Sequence, residues 1–98
     1  MRFKIDLSER AQREIGALTA RDRGIIFDGI EKFLRYEATI PTKKRRFLRA
    51  NPLASWELRL GLYRVFYDVD LETSKIAIVA VGFKRHNVLY LGGKEHPL

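Results

Sequence analysis

The second half of the chain contains three stretches that commit it to a β-meander. In residues 56–60, Trp56, Leu58 and Leu60 alternate with Glu57 and Arg59. In residues 63–70, Tyr63, Val65, Tyr67 and Val69 alternate with Arg64, Phe66, Asp68 and Asp70. A period of two is the signature of a strand whose two faces meet different surroundings. Gly61-Leu62 separates these stretches and suits a two-residue type II′ turn, with glycine supplying the positive φ. Leu71-Glu72-Thr73-Ser74 makes the next turn. Residues 76–83 are uncharged and rich in β-branched side chains, the pattern of a strand buried on both faces. Lys84-Arg85-His86-Asn87, Val88-Leu89-Tyr90-Leu91 and Gly92-Gly93 follow.

The first half reads differently. Phe3, Ile5 and Leu7 alternate with polar residues as a short strand. Ser8 is placed to cap a helix with apolar positions Ala11, Ile15 and Leu18. Thr19, with Asp22 three residues on, starts a second helix whose buried stripe is Ile26, Ile30, Phe33 and Leu34. That helix should fade over residues 36–39, because Pro41 disfavours helix at the residue before it. The short link between the helices predicts antiparallel neighbours. Residues 39–54 read as one long connection, a kind of segment that is usually functional or mobile. The expected order is β-α-α-β-β-β: an α+β fold with two N-terminal helices on one face of a small antiparallel sheet. The other sheet face should be open, lined by alternate strand residues and the basic connection.

With 98 residues, the chain fits one domain, residues 1–98. It carries a net charge of +7, and residues 43–64 hold seven basic side chains against the single acid Glu57. A cluster of that density points to a polyanionic partner, because released counterions drive such binding. There is no cysteine, which removes disulfides, thiolate nucleophiles and Cys-based zinc sites. The longest uncharged apolar run is far below the roughly 20 residues of a membrane helix. The N-terminus has no apolar signal core. A soluble cytoplasmic protein with no membrane partner is expected.

No nucleotide or metal motif is present. Gly92-Gly93 lacks the strand-glycine-helix context of a phosphate loop. Asp68, Asp70 and Glu72 resemble part of a calcium loop that lacks its glycine and terminal glutamate. His86 and His96 stand in no ligand spacing. No metal and no cofactor are expected. What remains is a basic-aromatic set: Arg59 and Arg64 on paired strands, then Lys84, Arg85, His86 and Tyr90. Single-stranded RNA is bound by cations for its phosphates and flat side chains for its bases. Arginine also grips two phosphate oxygens at once. Such groups can stabilise a phosphorane-like transition state in which the RNA 2′-hydroxyl is the nucleophile, given a base for its proton and an acid for the leaving 5′-oxygen.

Several phrases together resemble the RelE/ParE superfamily of toxins from bacterial type II toxin–antitoxin systems. They are Trp56-Glu57-Leu58-Arg59, then Leu62-Tyr63-Arg64-Val65-Phe66-Tyr67-Asp68-Val69, then Val81-Gly82-Phe83-Lys84-Arg85, with Tyr90 beyond and Phe47-Leu48-Arg49 before. The resemblance implies a microbial RNase fold and, in the RelE branch, metal-independent cleavage of mRNA in the ribosomal A site. It places the phosphate-binding arginine on Arg64, the second cation on Lys84 with Arg85 beside it, and the stacking or proton-shuttling tyrosine on Tyr90. Arg59 matches a basic strand position. The best-known RNases carry two lysines where this chain has Ser55 and Glu57, so Glu57 or His86 is the candidate base. Lys43, Lys44, Arg45, Arg46 and Arg49 are expected to dock ribosomal RNA. Implied partners are mRNA, the ribosome and an antitoxin with an acidic, amphipathic segment. The alternatives are a ParE-like inhibitor of DNA gyrase, without catalysis, and a catalytically degenerate member.

Overall fold

The computed structural model describes residues 1–97. In chain order the elements are β1 (Lys4–Leu7), α1 (Glu9–Gly16), α2 (Ala20–Leu34), β2 (Arg45–Phe47), β3 (Trp56–Leu60), β4 (Tyr63–Asp70), β5 (Lys75–Arg85), β6 (Val88–Leu91) and β7 (Lys94–Glu95). The sheet order is β2-β3-β4-β5-β6-β7, with β1 paired to β5. The α+β class and the antiparallel meander are as the sequence predicts. The first strand joins the central strand β5, and differs from the expected antiparallel sheet only in its direction: the pair is parallel, with Ile5 opposite Ile76. A parallel pair needs a crossover, and the two helices lie in the chain between these strands.

Both helix starts follow from their caps. Ser8 Oγ accepts from the Ala11 amide at 3.0 Å, and Thr19 Oγ1 from the Asp22 amide at 3.2 Å. Ala11, Ile15, Ile26, Ile30 and Leu34 are buried against Leu58, Val65, Tyr67, Ile76 and Ile78, which fixes the helices on one sheet face. The β3–β4 turn is of the expected type: Gly61 has φ +60 and Leu62 has an ordinary negative φ.

Two further features differ from the sequence reading. The long connection contains the edge strand β2, with Arg45 opposite Leu58 and Phe47 opposite Trp56. The other sheet face is not fully open. Asn51 Oδ1 accepts from the Leu53 and Ala54 amides and turns the chain back. Leu48, Leu53 and Ala54 then pack on Phe66, Ala80, Leu89 and Leu91, forming a second small core. An uncovered Phe66 would expose a large apolar surface, which explains why the loop folds down.

Strand β5 carries a bulge where Phe66 pairs with Ala80 and Tyr67 with Ile78. Ile76, Ile78 and Val81 face the helices, while the adjacent Val79 and Ala80 both face the second core. The bulge therefore reverses the alternation halfway along the strand. Strands β1 and β6 share the edge of β5 opposite β4, end to end. The gap between them is closed by α1 and its cap. The Ser8 amide donates to the Ile78 carbonyl (3.0 Å), Ser8 Oγ to the Val79 carbonyl (2.8 Å), and the Val81 amide to Glu14 Oε1 (2.8 Å).

Candidate functional site

Register assigns each candidate side chain to a face. On β3 and β4, Glu57 lies opposite Phe66 and Arg59 opposite Arg64. Phe66 belongs to the second core, so these four residues share the face away from the helices. Arg46 pairs with Glu57 and joins them. Beyond the bulge, Arg64 pairs with Gly82, and Lys84 with Leu89 of the second core. Lys84 is thus on the same face. Strand β5 runs further than expected, so Lys84 and Arg85 are its last residues rather than part of the turn.

Glu57 is buried, and its Oε1 accepts from Arg59 Nε at 3.0 Å. Arg64 donates from Nη1 to the Gly61 and Tyr63 carbonyls at 2.6 and 2.9 Å, while its buried Nε has no hydrogen-bond partner among the described residues. Burial pulls the Arg64 guanidinium below the usual arginine range; Glu57 opposes this and Arg59 adds to it. Glu57, Arg59 and Arg64 form one electrostatic cluster with a carboxylate among guanidiniums.

A cleft of about 960 Å³ opens beside this cluster, lined among others by Arg46, Arg49, Asn51, Glu57, Lys84 and His96. The 46–51 segment forms one wall and the C-terminal hairpin the other. Arg59 and Arg64 lie on the same face but outside the cleft lining. Three cations near a buried carboxylate are suited to an anion with a transferable proton.

The remaining candidates lie elsewhere. Tyr90 pairs with Phe83, on the helix-side face, and the rings stack at 5.2 Å. Arg85 lies over the Phe83 ring at 5.7 Å. Neither lines the cleft. His86 is exposed in the β5–β6 turn with φ 51. Lys43 is exposed, and Lys44 Nζ lies 5.2 Å from the Phe33 ring. Arg45 contradicts its expected role as an RNA-docking cation. Only 5% of it is exposed; its guanidinium donates to the Ile40 and Phe33 carbonyls and meets Glu37 at 3.8 Å. A cation tied up inside the fold cannot release counterions from a polyanion.

Sequence reasoning missed Asn51 and His96 as cleft residues. Residues 48–54 show no periodicity, and His96 lies after a glycine pair with no motif around it. Among the described residues, no cluster of three or more His, Cys, Asp or Glu side chains is assembled to hold a metal. Among the described residues, no helix is long and apolar enough to cross a membrane.

No protein-family profile matches the sequence. No curated protein matches it either. Among solved structures, a chain of the RelBE2 toxin–antitoxin complex from Mycobacterium tuberculosis superposes with a TM-score of 0.73 at 21% identity, covering 86% of this chain and all of that one. The fold of this protein is therefore the RelE-like α+β fold of that neighbour.

Proposed function

We propose that this chain is the toxin of a type II toxin–antitoxin pair in the RelE/ParE superfamily, and that it is a metal-independent, ribosome-dependent mRNA endonuclease. The observation that carries the reading is the cleft on the helix-free face, where Lys84 and Arg46 border the buried Glu57. Lys84, Arg46 and Arg49 hold the phosphates of a single strand. Glu57 takes the proton of the 2′-hydroxyl, and the charges of Lys84 and Arg46, which line the cleft, stabilise the negative charge that grows on the phosphoryl oxygens. The 2′-oxygen to phosphorus bond forms as the phosphorus to 5′-oxygen bond breaks, and the leaving 5′-oxygen takes a proton from water. The partners on this reading are mRNA, the ribosome and an antitoxin whose acidic, amphipathic segment opposes the basic face.

Induced expression of the chain alone tests this. Pulse-labelled protein synthesis should stop within minutes, with mRNA cut at ribosomal A sites. Lys84→Ala should abolish the cuts while the protein still folds. A gyrase inhibitor would instead arrest DNA synthesis and leave mRNA intact. That second reading draws on Ser55 and Glu57, which stand where the best-known RNases carry two lysines.

A further inference from the structure

We infer that Phe47 is a base-stacking residue at the rim of the cleft: one unpaired base of the RNA lies on its ring where the strand crosses β2. The inference rests on the endonuclease reading above and adds a substrate subsite to it. The family resemblance gives the stacking role to Tyr90, but that ring lies against Phe83 on the helix-side face and does not line the cleft. Among the described residues that line the cleft, the aromatic rings are Phe47 and His96, and only Phe47 is apolar.

Strand β2 is the outermost strand of the sheet, and Phe47 on it is 64% exposed. The ring is nevertheless held in place. Its centroid lies 5.1 Å from that of Trp56 with the planes at 74°, and Trp56 stacks in turn on Tyr67 at 5.9 Å and 17°. Trp56 and Tyr67 are buried, and the Tyr67 hydroxyl donates to the Ala38 carbonyl. An edge-to-face pair does not occupy both rings as a parallel stack would. Phe47 therefore stands on an aromatic column rooted in the main core, with much of its own surface in solvent. A base that stacks on a ring already fixed in this way costs little further ordering of the protein.

Charge places the rest of the nucleotide. Successive side chains of a strand point to opposite sides. Arg46 pairs with Glu57 and shares the helix-free face, whereas Phe47 pairs with Trp56 of the main core. Both border the cleft, as does Arg49. A chain that passes over the sheet edge at β2 thus meets a cation for its phosphate on one side and a ring for its base on the other. Residues 43–49 include five basic side chains and no acid, which favours a polyanion over a polypeptide at this wall. The arrangement suits a single strand, whose bases can turn outward, and not a duplex, whose bases stack on one another.

The test uses the full chain, programmed ribosomes and a set of mRNAs, each lacking one base near the cleavage site. The unsubstituted protein should lose about 10-fold or more in single-turnover cleavage at one abasic position. Phe47→Ala should lose a similar factor on intact mRNA, with no further loss at that position. Phe47→Trp keeps a flat ring and should stay within about threefold of the unsubstituted protein, while Phe47→Leu keeps only apolar bulk and should behave as Phe47→Ala. Full activity of Phe47→Ala on intact mRNA overturns the subsite and leaves the exposed ring to a protein partner. The subsite also fails if every abasic mRNA slows Phe47→Ala by as much as it slows the unsubstituted protein. If the unsubstituted protein cleaves no mRNA at all, the endonuclease reading fails and the subsite with it.

Discussion

Glu14 on helix α1 completes the backbone of the central strand: its Oε1 accepts the Val81 amide at 2.8 Å, at a point of β5 that neither β1 nor β6 reaches. A carboxylate that accepts from a buried amide contributes roughly 1.5–3 kcal/mol, since the amide has no other partner once it is removed. Glu14→Ala should destabilise the fold by about 2 kcal/mol, read as a lower urea midpoint. Glu14→Gln keeps an acceptor and should lose less than half of that. Equal losses would show that the carbonyl-type acceptor is not what matters.

Arg45 and Arg46 are neighbours in sequence with opposite surroundings, one buried under the helices and one on the cleft wall. Arg45→Ala should cost about 2–4 kcal/mol of stability, because it strands the Phe33 and Ile40 carbonyls and leaves a cavity. Arg46→Ala should change stability by less than about 0.5 kcal/mol. The same substitution should flatten the log K against log salt slope for single-stranded RNA by about 0.7, one phosphate contact. Fluorescence anisotropy over a salt series separates the two.

Gly82 on β5 lies opposite Leu91 of β6. A Cβ there collides with the Tyr90 carbonyl and the Leu91 side chain, and the backbone oxygen cannot swing away. Gly82→Ala should therefore push β6 off β5 and cost about 1–3 kcal/mol. For a domain of this size that is a drop of roughly 4–8 °C in Tm per kcal/mol. Amide exchange of residues 88–91 should quicken more than that of β3.

Tyr67 is fully buried, and its hydroxyl donates to the Ala38 carbonyl at 2.7 Å. Burial pushes its phenol well above the ordinary range, a shift that the nearby Arg45 opposes. The folded state thus keeps a proton that the unfolded chain releases near pH 10, so the stability from this group is intact below about pH 10 and falls as pH rises further. Tyr67→Phe should be less stable by about 1 kcal/mol at pH 8. Its deficit should shrink at pH 11, where the unsubstituted protein pays to keep the phenol neutral. A constant deficit across that range would refute the assignment.

Much of the architecture was legible in the sequence because it rests on local chemistry. Ser8 and Thr19 cap both helices, Gly61 makes its hairpin, and the alternation over residues 56–70 sorts side chains between faces as expected. The facing of residues 84–90 was not legible. Strict alternation from Ile76 and Ile78 would place Lys84 under the helices and Arg85 in the open, and the bulge at residues 79–80 reverses both. No composition signal marks that extra residue, since Val79 and Ala80 suit either face. The short edge strand β2 and the Asn51 turn were hidden for a related reason: three residues are too few to show a period, and the apolar contacts of Leu48 and Leu53 lie far away in sequence. The basic cluster was visible as charge, but only its pairing shows that Arg45 belongs to the interior.

The two strands that share one edge of β5 are held in mechanically different ways. A translocating protease that pulled on the C-terminal side would peel β7 and then β6 away one hydrogen bond at a time, whereas β1 lies parallel to β5 and must be sheared loose with its bonds loaded together. The wall that carries His96 would go first, while both helices and the main core remained in place. Such a pull opens the cleft before it unfolds the main core.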